Sequence, residues 1–215
     1  MIGSILLGSM LFVSSAQATL TLSISDGLDT DTVTDLDGNG GVLYIGSIGD
    51  WILNITIGVA DPFIGDSNTS RLDLSSLNVT GSSESGGTLY ISLTDTDNDV
   101  PVGETGYSID IGGTTGGSIS FQSYVDSSNT PFGTGTLLYD TGILSGGAFS
   151  TSGNGSVTVD GTYSITTVAT LVHDNGWTLT GFNHGVAISE PGSLALFGIG
   201  LLGLAFGIRK TSRET

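Results

Sequence analysis

Hydrophobic and polar residues alternate with a period of two along most of the chain between residues 19 and 189. The clearest run puts five apolar residues on one strand face, with Asn54 and Thr56 opposite: Trp51, Leu53, Ile55, Ile57 and Val59. The same alternation recurs around residues 89–93, 119–125 and 163–171. Because successive side chains of a strand point to opposite faces, the pattern predicts half-buried β-strands. No window in this part of the chain has the 3.6-residue period of a helix.

Short polar segments rich in Gly, Asp, Asn and Ser separate these strands and predict tight turns. Asp160-Gly161 lies between two alternating runs, Val157–Val159 and the run from Tyr163. This arrangement predicts a β-hairpin with a type I′ turn. Asn154-Gly155 and Asn175-Gly176 indicate further turns.

About ten short strands joined by such turns predict an all-β fold, a single antiparallel β-sandwich or jelly-roll-like domain over residues 19–188. The composition agrees, because the chain has 35 glycines and only 12% charged residues. The expected core is Trp51, Leu53, Ile55, Leu89, Ile91, Phe121, Ile165 and Leu171.

Both ends of the chain have the patterns of targeting segments. At the N-terminus, the apolar run Ile5–Val13 precedes Ala16-Gln17-Ala18, which is typical of a signal peptide cleaved before Thr19. Residues 1–18 lack the usual basic start, so the true start is expected further upstream. At the C-terminus, the 17 residues Gly192–Ile208 contain no charge. A helix of this length spans roughly 26 Å, close to the thickness of a bilayer core, so a single transmembrane helix is expected over 192–208.

Basic residues follow this span at once, at Arg209, Lys210 and Arg213. Positive charges stay on the cytoplasmic side of a membrane span, so the domain before the span is expected outside the cytoplasm. Pro191 fits the first turn of the helix, where its missing N–H costs nothing.

Residues 189–215 resemble the PEP-CTERM sorting signal of Gram-negative bacteria. The resemblance rests on Glu190-Pro191, on the short Gly/Leu/Ala-rich span and on the basic cluster, although Ser189 stands where the family usually has its first proline. It implies that Glu190 and Pro191 form a sorting motif read by an exosortase, a membrane enzyme that processes exported proteins. The protein would then lie in the inner membrane before processing, and at the cell surface or in the extracellular matrix afterwards. The alternative is an ordinary C-terminal membrane anchor.

The charge of the chain excludes several partners. Of its 21 acidic residues, 19 lie between Thr19 and Ser189, where Arg71 is the only basic residue. Such a body repels phosphate, so binding to nucleic acid or to an anionic membrane surface is excluded. The chain has no cysteine, so an exported domain must depend on packing or on bound ions rather than on disulfides.

Two acidic runs are candidates for calcium binding, because alternating carboxylate and amide oxygens are the ligands that calcium prefers. The first run resembles the opening half of a calcium loop, but Gly46 occupies the position of the closing glutamate. The candidate ligands are Asp35, Asp37 and Asn39 in the first run and Asp95, Asp97 and Asp99 in the second. The alternative is a pair of acidic turns, since Asp and Asn also favour turns. No metal or cofactor is therefore assigned, and calcium stays open.

No set of residues typical of an enzyme is present, so the protein is not expected to be one. The chain has no G-x-S-x-G motif, and its body has only two glutamates, Glu84 and Glu104. His173 and His184 lie on either side of Asn175-Gly176 and are expected at the surface, at strand ends.

The resemblance to PEP-CTERM proteins implies an exported cell-envelope or extracellular-matrix protein, sorted by exosortase, with a structural or adhesive role at the cell surface or in an extracellular polysaccharide layer. The alternative is a calcium-dependent carbohydrate-binding module. Such a module needs two or three exposed aromatic rings in one plane. The candidates for these rings are Tyr90, Tyr124, Tyr139 and Trp177.

Overall fold

The computed structural model describes residues 19–61, 63–65, 69–81, 86–99, 101–174 and 178–189. These residues form eleven β-strands and no helix, which confirms the all-β prediction. The predicted transmembrane helix over 192–208 lies outside the described residues. The strands are β1 (Thr19–Ser25), β2 (Thr30–Thr34), β3 (Gly41–Ile48), β4 (Trp51–Ala60), β5 (Thr69–Gly81), β6 (Gly87–Asn98), β7 (Gly103–Asp126), β8 (Thr136–Asp140), β9 (Leu144–Val159), β10 (Tyr163–His173) and β11 (Leu179–Ser189).

All strands pair in antiparallel fashion in one continuous sheet. Their order is β2-β1-β6-β10-β7-β11-β5-β4-β3, and β8 and β9 pair with the remaining edge of β7. At 24 residues, β7 is the longest of the described strands and the only one of them that pairs with four others. It therefore joins all parts of the sheet.

The sheet folds over at β7 and so becomes a sandwich. Ile111 and Ser123 of β7 would lie about 40 Å apart in a straight strand. Yet His184 of β11, which pairs with Ile111 of β7, also forms a hydrogen bond with Ser123 of β7, with an Nε2–Oγ distance of 2.8 Å. The two halves of β7 must therefore lie in facing layers.

We call the two layers layer 1 and layer 2. Layer 1 contains β2, β1, β6, β10, β8 and the second half of β7, and layer 2 contains β3, β4, β5, β11, most of β9 and the first half of β7. Consecutive strands cross between the layers, as β5 to β6 and β10 to β11 do. This winding of neighbouring strands from one layer to the other confirms the predicted jelly-roll-like sandwich.

Two glycines allow the fold-over. The pairing of β7 with β9 shifts register between Thr115 and Ser118, at Gly116-Gly117. A Cβ atom on Gly117 would overlap the carbonyl oxygen of Val172 and lie 2.8 Å from the ring of His173. Only glycine lets β10 approach so closely, which is a common reason for glycine within a strand.

The core lies between the layers and consists mainly of aliphatic side chains. Seven of the eight predicted core residues are buried: Trp51, Leu53, Leu89, Ile91, Phe121, Ile165 and Leu171. The side chain of the eighth, Ile55, is not among those described. Phe121 lies at the centre of a ring cluster and contacts Phe149, Phe182 and His184 at centroid distances of 5.1–5.8 Å.

The predicted faces of β4 are wrong in its second half. Thr56, predicted to face outward, is buried, and its Oγ1 lies 2.8 Å from Ser76 Oγ. Ile57, predicted to face inward, is 39% exposed. The alternation of β4 changes phase close to Asn78 of the neighbouring strand β5. Asn78 has a left-handed φ of 57°. The pairings of β4 with β3 and of β5 with β11 both shift register close to this point. Such irregularities move a side chain to the opposite face of a sheet.

The hairpin predicted at Asp160-Gly161 is also wrong. The chain does turn there, with Gly161 at φ 70°, but β9 pairs with β7 while β10 pairs with β6 and β7. The turn carries the chain from layer 2 to layer 1 instead of joining two paired strands. A hairpin turn and a turn between layers have the same local chemistry. They differ only in whether the two strands that they join pair with each other.

The fold-over predicts a stability difference between two glycines of β7. Gly117→Ala should lower the free energy of unfolding by about 1–3 kcal/mol, because the added methyl group collides with main chain that cannot move aside. Gly112→Ala is the matched control, since its Cβ would meet its nearest neighbour, the carbonyl oxygen of Phe149, at an ordinary 3.8 Å. Urea unfolding of the two variants measures the effect. Equal stabilities would contradict the role of Gly117.

Candidate functional site

The chain enters and leaves the sandwich at the same end, which we call the terminal end. Thr19 begins β1 opposite Thr96, and Ser189 ends β11 between Thr69 and Gly106. The connections that follow β2, β4, β6 and β9 lie at this end as well. The two layers meet here through a hydrogen bond from the Tyr163 hydroxyl to Ser70 Oγ, 3.3 Å long.

The last strand is held firmly up to its final residue. β11 pairs on one side with β5 and on the other with β7, and both ladders reach Ser189. Ile188 is fully buried. The predicted sorting motif therefore follows a rigid strand directly, without a spacer. Other predicted residues lie outside the described part of the chain, namely Ala16, Ala18, Glu190, Pro191, Arg209, Lys210 and Arg213.

The first acidic run is held by its own backbone amides. The Asp35 carboxylate accepts hydrogen bonds from the amides of Gly38 at 3.0 Å and Gly40 at 2.7 Å, and Asn39 Oδ1 accepts one from Gly41 at 3.0 Å. Burial would raise the pKa of Asp35, but hydrogen bonds from Asp37 and from these amides outweigh it and lower the pKa. The oxygens predicted to bind calcium thus already stabilise a turn.

The second acidic run does not place its three carboxylates together. Asp95 lies on the core face of β6 and is fully buried, whereas Asp99 is exposed. Asp97 has a left-handed φ of 62°, which breaks the alternation. Its amide donates to Asn129 Oδ1 at 2.8 Å, and Asn129 Nδ2 donates back to Asp97 Oδ1 at 2.7 Å. Asp97 therefore fastens β6 to the connection after β7.

Asp95 is unusual because its carboxyl group is fully buried on the core face. Neither carboxylate oxygen has a hydrogen-bond partner in the part of the chain that the structure describes, and Asn98 Nδ2 donates instead to the main-chain oxygen of Asp95 at 3.1 Å. Burial raises the pKa of Asp95 to about 7, and the charges of Asp61, Asp97 and Asp35 contribute to the rise. A buried carboxyl group of this kind favours its protonated form.

Both acidic runs thus reach the terminal end, although about sixty residues separate them in sequence. Among the described residues, however, no three histidine or carboxylate side chains are grouped so that they could hold a metal ion. The calcium ligands predicted from the sequence remain a prediction.

The prediction that both histidines lie at the surface is wrong. His184 is fully buried and His173 is 2% exposed. Burial lowers the pKa of His184 to about 3 and also lowers the pKa of His173, so both rings are neutral at physiological pH. The sequence contained the signal, because His184 continues the buried alternation of Thr180, Phe182, Val186 and Ile188 in β11.

The histidines join the layers and do not form a catalytic site. His184 Nε2 is bonded to Ser123, and His173 Nε2 lies 2.9 Å from Thr180 Oγ1. In the described structure the Nδ1 atoms of both rings have no partner, so no third group orients either ring as in a catalytic triad. A reactant has no access to the buried Ser123–His184 pair.

The outer face of layer 2 has a shallow polar groove. Two cavities of about 300 and 500 Å³ share Asp110 and Asn183. Asn183 Nδ2 donates to both carboxylate oxygens of Asp73, at 2.9 and 3.0 Å, and to Ser75 Oγ at 2.8 Å. Arg71 lines the same groove. No signal in the sequence singled these residues out, since they come from three strands far apart in the chain.

The predicted aromatic platform is not formed by the tyrosines. Tyr90 and Tyr124 both face outward on layer 1. They lie on strands separated by β10 and are offset by four residues along the strands, which puts them about 16 Å apart. Tyr139 packs against the core, and its hydroxyl lies 2.7 Å from Thr151 Oγ1. Trp177 lies outside the described residues.

Residues 187–210 match the family model of the PEP-CTERM protein-sorting motif. The match supports a PEP-CTERM sorting motif at this end of the chain, which implies processing by an exosortase, with export and membrane anchoring before that processing. The match begins inside β11, three residues before Glu190. No described helix is long and apolar enough to cross a membrane.

No curated protein is significantly similar to the chain. The chain is similar to a crystal structure of the infectious bursal disease virus VP2 subviral particle, at 15% identity and a TM-score of 0.34, covering 84% of this chain and 54% of that one. It is also similar to the structure of the Gx strain of the same virus, at 15% identity and a TM-score of 0.28, covering 88% and 55%. The chain thus spans about half the length of these proteins. Similarity at this level says nothing about function.

The buried Asp95 predicts a pH-dependent stability. The folded state holds the proton of Asp95 up to a pKa of about 7, and the ordinary value is 3.8. At Asp95 the folded state therefore binds more protons than the unfolded state between these values, and the contribution of Asp95 to the free energy of unfolding should fall, on the order of a few kcal/mol, as pH rises from about 4 to about 7. The buried neutral His184 contributes with the opposite sign over much of this range, because its pKa is about 3 in the folded state and 6.5 ordinarily.

Asp95→Asn should remove the contribution of Asp95, so that between about pH 4 and 7 the free energy of unfolding of the variant rises with pH relative to that of the wild type, as measured by urea unfolding at several pH values. Asp140→Asn is the control, because Asp140 is exposed and its pKa is lowered by hydrogen bonds from Gln122 and Gly142. An unchanged pH profile in Asp95→Asn would show that Asp95 is not the titrating group.

Proposed function

We propose that this protein is a structural or adhesive component of the cell envelope or extracellular matrix, released from a single-pass membrane anchor by an exosortase. The observation that carries the proposal is the direct passage of β11 into the sorting motif. Ser189 is still paired on both sides, and the matched motif begins at residue 187. A folded domain is thus presented to the membrane enzyme with the motif at its base.

The expected topology follows from the charges of the tail. Arg209, Lys210 and Arg213 remain in the cytoplasm, because moving each to the bilayer centre would cost about 2.5–3.5 kcal/mol. They hold the short span at one depth from the inside. Pro191 disfavours the helical conformation at the residue before it, so we expect Glu190 to be extended. The motif therefore lies at the outer boundary of the membrane, within reach of an enzyme there.

The charge of the domain supports release into a hydrated layer. Between Thr19 and Ser189 the chain has 19 acidic residues and one basic residue, and release of the tail removes three further basic residues. The domain is then more acidic than the full chain and is repelled by anionic lipid headgroups. A soluble, strongly hydrated domain of this kind suits a polysaccharide matrix better than a membrane surface.

The structure also favours a non-enzymatic role. The one close Ser–His pair among the described residues is sealed inside the core. The long strands instead form wide outer faces rich in Ser, Thr and Gly. Such faces provide area for contacts rather than a pocket for chemistry.

Replacement of Glu190-Pro191 by Ala-Ala tests the proposal. Export and membrane insertion should continue, because the apolar span is untouched, but maturation should stop and the full-length membrane form should accumulate. Membrane fractionation and blotting measure both forms in strains with and without exosortase. Thr211→Ala with Ser212→Ala is the control, since these residues follow the matched motif. Normal maturation of the Glu190-Pro191 variant would show that the motif is incidental.

A second candidate is a carbohydrate-binding module, and the polar groove on layer 2 favours it. Asp73, Asp110, Asn183 and Arg71 offer the carboxylate, amide and guanidinium groups that recognise sugar hydroxyls. Calcium dependence of sugar binding would come from the carboxylates of Asp73 and Asp110. None of the tyrosines Tyr90, Tyr124 and Tyr139 lines this groove.

Glycan-array binding with and without a chelator tests this candidate. Asn183→Ala should weaken binding about tenfold, because it removes hydrogen bonds worth about 1.4 kcal/mol. Thr170→Ala, on the outer face of layer 1, should leave binding unchanged. Absence of glycan binding would eliminate the candidate, and binding that persists in chelator would eliminate only its calcium dependence.

A further inference from the structure

The outer edge of β9 is long, regular and open. β9 pairs with β7 on one side, and no described strand pairs with its other edge. From Ala148 to Val159 the pairing runs through twelve consecutive residues without a register shift. The unpaired N–H and C=O groups of such an edge are a template for another strand.

The other edges of the sandwich carry features that discourage pairing, and the part of β9 from Ala148 to Val159 does not. β2 has only five residues and contains Asp31, and β3 has a register shift after Tyr44. The Tyr44 hydroxyl also donates to Asp31 at 2.7 Å, which ties these two edges together. Short length, charge and bulges all protect edges. β9 is 16 residues long and has neither a charge nor a proline.

We propose that β9 pairs in antiparallel fashion with β9 of a second copy of this chain, so that two sandwiches share one continuous sheet. The charge distribution selects this partner. A domain with 19 acidic residues and one basic residue repels its own copies over most of its surface. Residues 141–159 form the longest uncharged stretch between Thr19 and Ser189. Two copies can therefore approach most closely at this edge.

The side chains of β9 suit such a contact. The exposed positions Ser150, Ser152, Asn154, Ser156 and Thr158 are small and polar. Small side chains allow two backbones to reach hydrogen-bonding distance, and hydroxyl groups on opposite strands form additional hydrogen bonds. The pairing does not require a hydrophobic surface, because the main chain supplies most of the contacts.

The direction of β9 determines when pairing can occur. β9 runs toward the terminal end, since Val159 pairs with Gly103 close to the exit of the chain. Antiparallel pairing of two copies then points their terminal ends in opposite directions. Two copies anchored upright in one membrane cannot pair, whereas released copies or copies on facing surfaces can. This timing rests on the proposed function, but the pairing itself does not.

Cysteine scanning tests the pairing, because the chain has no cysteine of its own. Single cysteines are placed at Ser150, Ser152, Asn154, Ser156 and Thr158 of the full chain, in strains with and without exosortase, and oxidised with copper phenanthroline. Disulfide dimers should peak at one position, nearest the two-fold axis, and decline on both sides. Ser47→Cys, exposed on the β3 edge, is the control and should give few dimers.

Dimers should form in the strain with exosortase and be several-fold fewer without it. Equal dimer yields with a clear peak would retain the pairing but contradict its timing, and so separate this inference from the proposed function. Yields on β9 no higher than at Ser47→Cys would overturn the pairing.

A non-covalent measurement provides an independent test. Light scattering should give the mass of a dimer for the processed protein and of a monomer for Ser152→Asp, which adds a negative charge to each copy within the shared edge. Ser47→Asp adds the same charge on β3 and should stay dimeric. A dimeric Ser152→Asp protein, or a monomeric wild type, would overturn the inference.

Discussion

The close approach of β10 to β7 at Gly117 is the constraint on which the rest of the structure depends. Gly117 has no Cβ, and there is no room for one beside β10. β7 can therefore turn from one layer into the other while it keeps its neighbours on both edges. β10 and β11 follow one edge of β7 through this turn, and β8 and β9 follow the other. One local absence of a side chain thus determines which strands face each other and which edges stay open.

Polar pairs between the layers fix how the two halves face each other. Ser123 with His184, Thr180 with His173 and Tyr163 with Ser70 each join a residue of layer 1 to one of layer 2. Aliphatic side chains alone would tolerate sliding of one layer over the other, whereas a buried hydrogen bond is lost if its partners separate. In a chain without disulfides, these pairs define the alignment that covalent bonds define in many exported domains.

Much of the fold could be predicted from the sequence, because alternation reports directly on burial. It located the core residues and the sandwich, and the tail was recognisable from Glu190-Pro191, the short span and the basic cluster. Alternation failed near Asn78, where a left-handed residue and register shifts changed the phase. His184 was expected at the surface because it lies close to the Asn175-Gly176 turn, although it continues the buried alternation of β11. The turn at Asp160-Gly161 was found, but sequence does not show whether a turn stays within a layer.

The candidate sites were harder to predict for a related reason. The spacing of Asp95, Asp97 and Asp99 suggested convergence, but the left-handed conformation of Asp97 sends the three carboxylates to different places. The groove around Asn183 combines strands that are distant in sequence, so no linear motif could reveal it.

The position of β11 has a mechanical consequence. A load applied through the tail at Ser189 acts along the axis of a strand that is paired on both sides. Hydrogen bonds in an antiparallel ladder lie perpendicular to the strands, so such a load shears both ladders at once rather than opening them one bond at a time. While it is tethered, the domain is therefore pulled in the direction in which a sheet resists most strongly, and tension on the anchor reaches the core without first unravelling its last strand.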